Sequence, residues 1–401
     1  MVRFLFLTVL VVLSSALTSC GGLRDSTVLE GRILLWHAWQ GSEAETLNNL
    51  IDKFHDIYPG ITVISSSYAP EDLEHEFRDK SSQGLGPDLL IGEQMWIPEL
   101  ADELLIQPMD ETNIDPERYL SSALTTLRYQ GKLYGLPLSV QTWGLYYNKR
   151  LVKTEPPHTL DALLEQAEGG VKVAINTNFA DAFWGIQAFG GQLMDENGRV
   201  VLNQGGFTNW LDWLVEAQNA PNIIMSSDGE MLETLFRDGE VAYYVGRSTK
   251  LHDFQEAFGE DTIGVAPLPS GPTDLAGPFL EAEPLLLSSA SSPVQTKRAL
   301  LLIEFLTNIE QQRKLAQQTG RIPANPQVRI DRRVSPAVAG FVEQSKSVAP
   351  LLLIPAVLER TNAQCRFTVR ADDDPHGNPS LPRSAFRAPV PASASKTDKR
   401  A

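Results

Sequence analysis

The residues of this chain best suited to chemistry are indoles, carboxamides and carboxylates that fall just after short apolar runs. His37, Trp39 and Gln40 follow ILLW, and Glu93, Gln94 and Trp96 follow DLLIG. Gln141 and Trp143 lie in the stretch GKLYGLPLSVQTWGLYYNK from Gly131 to Lys149. Asp181 and Trp184 precede or open a helical pattern, Arg247 and Ser248 follow the run Val241–Val245, and Glu281 and Glu283 precede LLLSS. Aromatic faces match the C–H surfaces of sugars, and planar polar side chains satisfy hydroxyls. That is the chemistry of recognition. A glycoside hydrolase would need two carboxylates about 5–10 Å apart across the sugar. Glu281 and Glu283 stand only two positions apart and Glu93 stands alone, so no pair is compelling. The two glutamates can equally cap a helix or pair with Arg247. The six histidines show neither HxH nor HExxH, so no metal is expected, and no cofactor motif is present. Trp36, inside its apolar run, reads as core, as do Trp210 and Trp213 on one face of an amphipathic pattern.

The elements that position these residues alternate between strand and helix. Arg32–Trp36 reads as a buried strand, and Ser42 opens a helix with Glu45 completing a capping box. Leu47, Leu50, Ile51, Phe54 and Ile57 give that helix an apolar face, and Pro59-Gly60 ends it. A strand at Ile61–Ile64, a helix over Asp72–Ser82 and a strand at Asp88–Gly92 follow. This β-α-β-α-β order predicts an α/β fold with a mostly parallel sheet, its post-strand loops along one ligand-binding edge. Pro137 cannot donate to a ladder, so it belongs at a strand start or an edge, where the chain crosses between lobes. Beyond Asn148 the pattern predicts helices at 159–167, 183–189, 207–218, 231–237, 296–310 and 311–319. Strands are expected at 171–175, 198–202, 241–245 and 262–266, with a return strand after Pro284. No solenoid-period repeat is present.

The pieces ILLWHAWQGSEAETLNNLIDKFHDIYPGITV, GPDLLIG, ADELLIQPMD, YQGKLYGLPLS with YYNKRL, LFRDGEVAYYVGR, IGVAPLPSGP and GRIPANP occur in order across residues 31–358. In that order they resemble the extracellular solute-binding proteins of ABC importers, in the family of the maltodextrin-binding protein. The resemblance implies a periplasmic-binding-protein type II fold with two α/β lobes, discontinuous domains and a ligand cleft. It also implies no catalysis and delivery of a sugar to membrane permease subunits by a monomer. Residues 31–140 would form the first part of lobe 1, and residues 141–290 mainly lobe 2. The chain would return to lobe 1 near 260–295, and 291–360 would supply helices that pack on and bridge the lobes. Family positions matching Gln141 and the loop holding Trp96 face ligand. The chain departs from the family at Ser248, where a tryptophan is usual after Gly246, and that puts one stacking platform in doubt. Within the solute-binding class, a polyamine would want several carboxylates around aromatics, and a phosphodiester would want helix N-termini with basic residues. An iron chelate is a further alternative. A neutral polyol, whether a small oligosaccharide, a maltodextrin or a glycosylated compatible solute, suits aromatics with Gln, Asn, His and a few acids better.

The 401 residues allow two or more domains with sizeable cores. A net charge of −16 argues against nucleic-acid binding. With two cysteines, Cys20 and Cys365, no disulfide framework is suggested. Residues 1–19 read as a lipoprotein-type signal peptide: Arg3, an apolar stretch from Phe4 to Ala16 too short to span a bilayer, then Leu17-Thr18-Ser19-Cys20. That tetrapeptide resembles a bacterial lipobox, which implies acylation of Cys20, a tether over 20–30, and anchoring outside the cytoplasmic membrane. Residues 361–401 carry +3, leaving −19 on the rest, and show no periodicity, so they read as disordered or aberrant. The family continues there into a closing helix; its loss would expose apolar surface over Leu351–Leu358.

Overall fold

The computed structural model describes residues 30–193, 200–202, 205–259 and 261–353. The signal peptide, Cys20, most of the tether, the expected tail and part of the expected strand at 198–202 lie outside them.

Two sheets carry the chain. Their strands in sequence are β1 (Gly31–His37), β2 (Ile61–Ser67), β3 (Leu89–Ile91), β4 (Arg128–Tyr129), β5 (Lys132–Leu133), β6 (Leu136–Gln141) and β7 (Trp143–Asn148). There follow β8 (Val173–Asn176), β9 (Ile223–Ser226), β10 (Tyr243–Arg247), β11 (Ile263–Ala266), β12 (Phe279–Leu287), β13 (Ile322–Pro323) and β14 (Ala349–Pro350). The first sheet has the order β13-β6-β12-β3-β1-β2, with β14 beside β12, and the second the order β11-β7-β10-β8-β9. β4 and β5 form a separate hairpin.

The pairing of β1, β2 and β3 is parallel, so His37, Ser67 and Ile91 all exit at one sheet edge. The far half of that sheet differs from the sequence expectation: β12 runs antiparallel to both β3 and β6. β12 also begins at Phe279, well before Pro284, and continues through the proline. Pro284 stands opposite Pro137, where the register shifts. Neither proline has an N–H to give, so the ladder loses its bonds at one level only. Pro137 is the second residue of β6, at the strand start as expected, and its outer side is unpaired, because β13 reaches only Val140 and Ser139.

The chain crosses between sheets at Thr142, which separates β6 from β7. β11 still belongs to the second sheet, and the return comes with β12. Helix Gly41–Ile57 buries Leu47, Leu50, Ile51 and Phe54 of the expected apolar face against the first sheet, whereas Ile57, in its last turn, is exposed to solvent. Its expected capping box does not form: Gln40 is the N-cap, and its carboxamide turns away to Ser67 Oγ and the Tyr68 carbonyl. A capping box does form at Ser292 and Gln295, ahead of helix Pro293–Leu306. A second helix, Ile309–Thr319, follows it, and helix Pro336–Gln344 packs on the second sheet. There it comes so close to β7 that a Cβ on Gly144 would fall 2.7 Å from the Phe341 ring. Of the stretch 351–358, Leu351 and Leu353 are buried, and residues 354–358 lie outside the described residues.

The core of the second lobe is rich in indoles. Trp210 and Trp213 stack with ring centroids 5.0 Å apart, and Trp184 meets Trp210 edge-on at 4.8 Å. Trp184 is 1 % exposed, so it belongs to this core and not to a ligand surface. Its helical turn, Gly185–Ala188, lies so close to Trp210 that a Cβ at Gly185 would come within 2.3 Å of the ring. Trp184→Ala is expected to lower unfolding stability by about 3–5 kcal/mol, the usual cost of emptying an indole-sized space. Chemical denaturation checks the stability; ligand affinity of the folded fraction should stay within twofold.

Candidate functional site

Between the two sheets lies a cleft of about 450 Å³. Its first wall comes from the loops after β1 and β3, which parallel strands deliver to the same edge. Its floor comes from the ends of β6 and β12, paired at Gln141 and Glu281. The second wall is Arg247, Ser248, Thr249, Leu251 and His252, leaving β10. Loop Thr319–Ile322 closes one side.

Nine of the residues singled out in sequence line this cleft together: Trp39, Glu93, Gln94, Trp96, Gln141, Arg247, Ser248, Glu281 and Glu283. The others lie elsewhere. His37 is buried in β1. Gln40 is bound to Ser67 and Tyr68 outside the lining. Trp143 is 2 % exposed beneath Arg247, which rules out an open stacking face. Asp181 lines a neighbouring compartment of about 570 Å³ in the second lobe, which shares Arg247 with the cleft. Trp184 is in the core.

Several lining residues are engaged by the protein itself. Gln94 accepts from the Ala282 N–H at 2.7 Å and donates to the Leu351 carbonyl at 3.2 Å, which ties the β3 loop to β12 and β14. Glu283 takes three donors: Trp39 Nε1 at 2.7 Å, Ser139 Oγ at 2.7 Å and Arg321 Nη1 at 2.7 Å. A carboxylate so saturated has no role as a glycosidic acid or base. Ser248 is buried, and its hydroxyl accepts from the Thr142 N–H at 3.3 Å, so it serves the crossover. Trp96 lies against Gly92, where a Cβ would come within 3.0 Å of its ring. Gln141 and Glu93 face the cleft, and their side-chain polar groups bond to no described residue. Enclosure by the cleft walls, together with the charges of Glu281, Glu74 and Glu283, raises the Glu93 pKa above the ordinary carboxylate value.

Arg321 was not legible as a site residue. Its guanidinium carbon lies 4.1 Å over the Trp39 ring, and its Nη2 reaches Glu43 at 3.1 Å. The signal was GRIPANP itself, whose glycine takes φ +73° to end helix Ile309–Thr319 and aim the next residue inward. Among the described residues, no group of three or more His, Cys, Asp or Glu is arranged to hold a metal ion.

His37 holds the first wall. Its Nδ1 accepts from the Trp39 N–H at 3.1 Å, so Nε2 carries the hydrogen and donates to Ser65 Oγ at 2.9 Å. Burial disfavours the charged ring and lowers its pKa from 6.5 to about 4, against the pull of Glu283. Between these values the unfolded chain binds a proton that the folded one refuses, so this contribution to stability falls as pH drops from 6.5 toward 4. His37→Gln should flatten that part of the acid-unfolding profile; equal slopes in wild type and variant would contradict it.

Residues 49–339 match the family described as bacterial extracellular solute-binding protein. The chain is 27% identical over 329 residues to the maltotriose-binding protein of Pyrococcus abyssi (strain GE5 / Orsay), covering 78% of this chain and 71% of the relative. It is 22% identical over 372 residues to a maltodextrin-binding protein of Bacillus subtilis (strain 168), covering 86% and 87%. A solved cyclo/maltodextrin-binding protein in complex with maltotetraose superposes with a TM-score of 0.68 at 25% identity, over 81% of this chain and 87% of that one. The cyclic alpha-maltosyl-1,6-maltose binding protein of Arthrobacter globiformis shares the fold, with a TM-score of 0.72 at 17% identity over 83% and 91%. Two sheets joined by an extended crossover, a polar cleft between them and a family match over most of the chain make this a member of the bacterial extracellular solute-binding proteins.

Proposed function

We propose that this protein captures an oligosaccharide, with the maltodextrin class foremost, and delivers it to the membrane permease of an ABC importer. The observation that carries the reading is the cleft. Its charges are largely tied into ion pairs, and its free planar groups, Gln141 and Glu93, share the lining with an indole, Trp96. Such a surface offers donors and acceptors in fixed places without presenting a strong unpaired cation. That matches a neutral polyol better than a phosphodiester. The relatives named for maltotriose and maltodextrin support the class.

The mechanism is lobe closure. A ligand touching both walls favours the shut form by its differential affinity, and the permease reads that form. Arg247 from the second sheet already reaches Glu281 on the first at 3.3 Å, so a charge-assisted contact spans the floor before ligand arrives. Acylation of Cys20 would anchor the protein outside the cytoplasmic membrane, where a monomer suffices for capture; Cys20 lies outside the described residues. The reading assigns no catalysis to the site.

A thermal-shift panel of maltose, maltotriose, maltotetraose, glucosylglycerol, spermidine and glycerophosphocholine tests the class. Maltotriose at one hundred times its dissociation constant should stabilise the fold by about 2.7 kcal/mol. A shift with spermidine or the phosphodiester alone overturns the sugar reading. Gln141→Ala should weaken maltotriose binding roughly tenfold, the worth of one well-placed hydrogen bond. Calorimetry at unchanged melting temperature checks it.

A further inference from the structure

Each lobe places an arginine guanidinium over a tryptophan ring at the edge of the cleft. In the first lobe Arg321 covers Trp39, whose indole N–H is held by Glu283. In the second lobe Arg247 covers Trp143 with its guanidinium carbon 4.3 Å from the ring centre, and the Trp143 indole N–H is held by Asp181 at 2.9 Å. The same carboxylates, or near neighbours, hold the guanidinium groups: Glu283 and Glu43 for Arg321, Glu281 and Asp181 for Arg247. The two units share their parts: an indole, an acid on its N–H, and a guanidinium on its face. Both indoles are almost fully buried, at 3 % and 2 % exposure, so neither offers a face to a sugar ring. What each unit does offer is the outer edge of a guanidinium already fixed in orientation.

We infer that Arg247 and Arg321 are specificity-determining ligand contacts, and that they turn two stacking platforms into hydrogen-bond donor planes. This rests on the sugar reading above and deepens it. The guanidinium fork presents parallel N–H groups at the spacing of adjacent acceptors, such as neighbouring hydroxyl oxygens of a pyranose. Because ion pairs and the indole below already hold it, little side-chain freedom is lost on binding. Arg247 is the stronger candidate of the two. Its side chain is 40% exposed, its contacts to Glu281 and Asp181 are longer at 3.3–4.0 Å, and it borders both compartments. Arg321 is 17% exposed and more tightly held. The ligand is thus read by its hydroxyl pattern more than by its apolar face.

Arg247→Met and Arg321→Met keep an apolar stem and remove the fork; the lysine variants restore charge without planarity. Calorimetry of the purified protein with maltotriose should show at least a tenfold loss for Arg247→Met, not recovered by Arg247→Lys. The heat capacity of binding should become more negative in both methionine variants, because the uncovered indole now buries apolar surface against the ligand. Acrylamide should quench indole fluorescence more strongly in both. A purely structural role would move stability without making the heat capacity more negative. Maltotriose affinity and heat capacity equal to wild type in both variants overturn the inference alone, since Arg247 is exposed enough to replace without unfolding. Wild-type protein that binds no saccharide overturns the sugar reading and this inference with it.

Discussion

Thr142 joins the two sheets, and its buried polar groups are each accounted for. Its hydroxyl donates to the Phe279 carbonyl at 2.9 Å, where the chain returns to the first sheet. Its carbonyl accepts from the Ser248 N–H at 2.8 Å, and its own N–H goes to the Ser248 hydroxyl. One residue thus ties the outgoing strand, the returning strand and the second wall of the cleft. An unpaired peptide group here would cost about as much as a lost buried hydrogen bond, so the crossover tolerates little rearrangement. The cleft floor inherits that rigidity, because Gln141 and Glu281 are the next pair along the ladder.

The electrostatics of the cleft follow from the same geometry. β12 projects Glu281 and Glu283 from one face, two residues apart. Arg247 of the second lobe meets the first glutamate, and Arg321 of the first lobe meets the second. Spacing that looked poor for catalysis is well suited to holding two arginines at opposite sides of one groove. Glu93 stands outside these pairs, and its raised pKa reflects loss of solvation first and the neighbouring carboxylates second.

Much of this was legible from residue order alone. The apolar face of helix Gly41–Ile57, the core role of Trp210 and Trp213, and the loops after β1 and β3 came from periodicity and from strand-end position. What sequence could not supply was the depth of individual indoles. Trp143 follows Thr142 and Trp184 stands three residues after Asp181, and no local pattern reveals how deeply either is buried compared with Trp96. Their burial is decided by Arg247 and by Trp210, far away in sequence. Arg321 was missed for the same reason: a lone arginine after a helix-ending glycine carries no mark of the tryptophan it will cover. The strand containing Pro284 was cut short because a proline is costly inside a ladder, and the compensating Pro137 opposite it is visible only once the strands are paired. The role of Ser248 at the crossover, bonded to both peptide groups of Thr142, is likewise visible only in three dimensions.

The position of β12 has a bearing on how the chain assembles. It sits between β3 and β6, so the first sheet remains split until a strand made late in synthesis slots into its middle. Nearly the entire second lobe is translated before that insertion, and the pairs it forms join residues far apart along the polypeptide. High contact order of this kind slows folding. An emerging chain would therefore stay loose, and threadable through a narrow pore, for longer than one whose sheet closes from neighbouring hairpins.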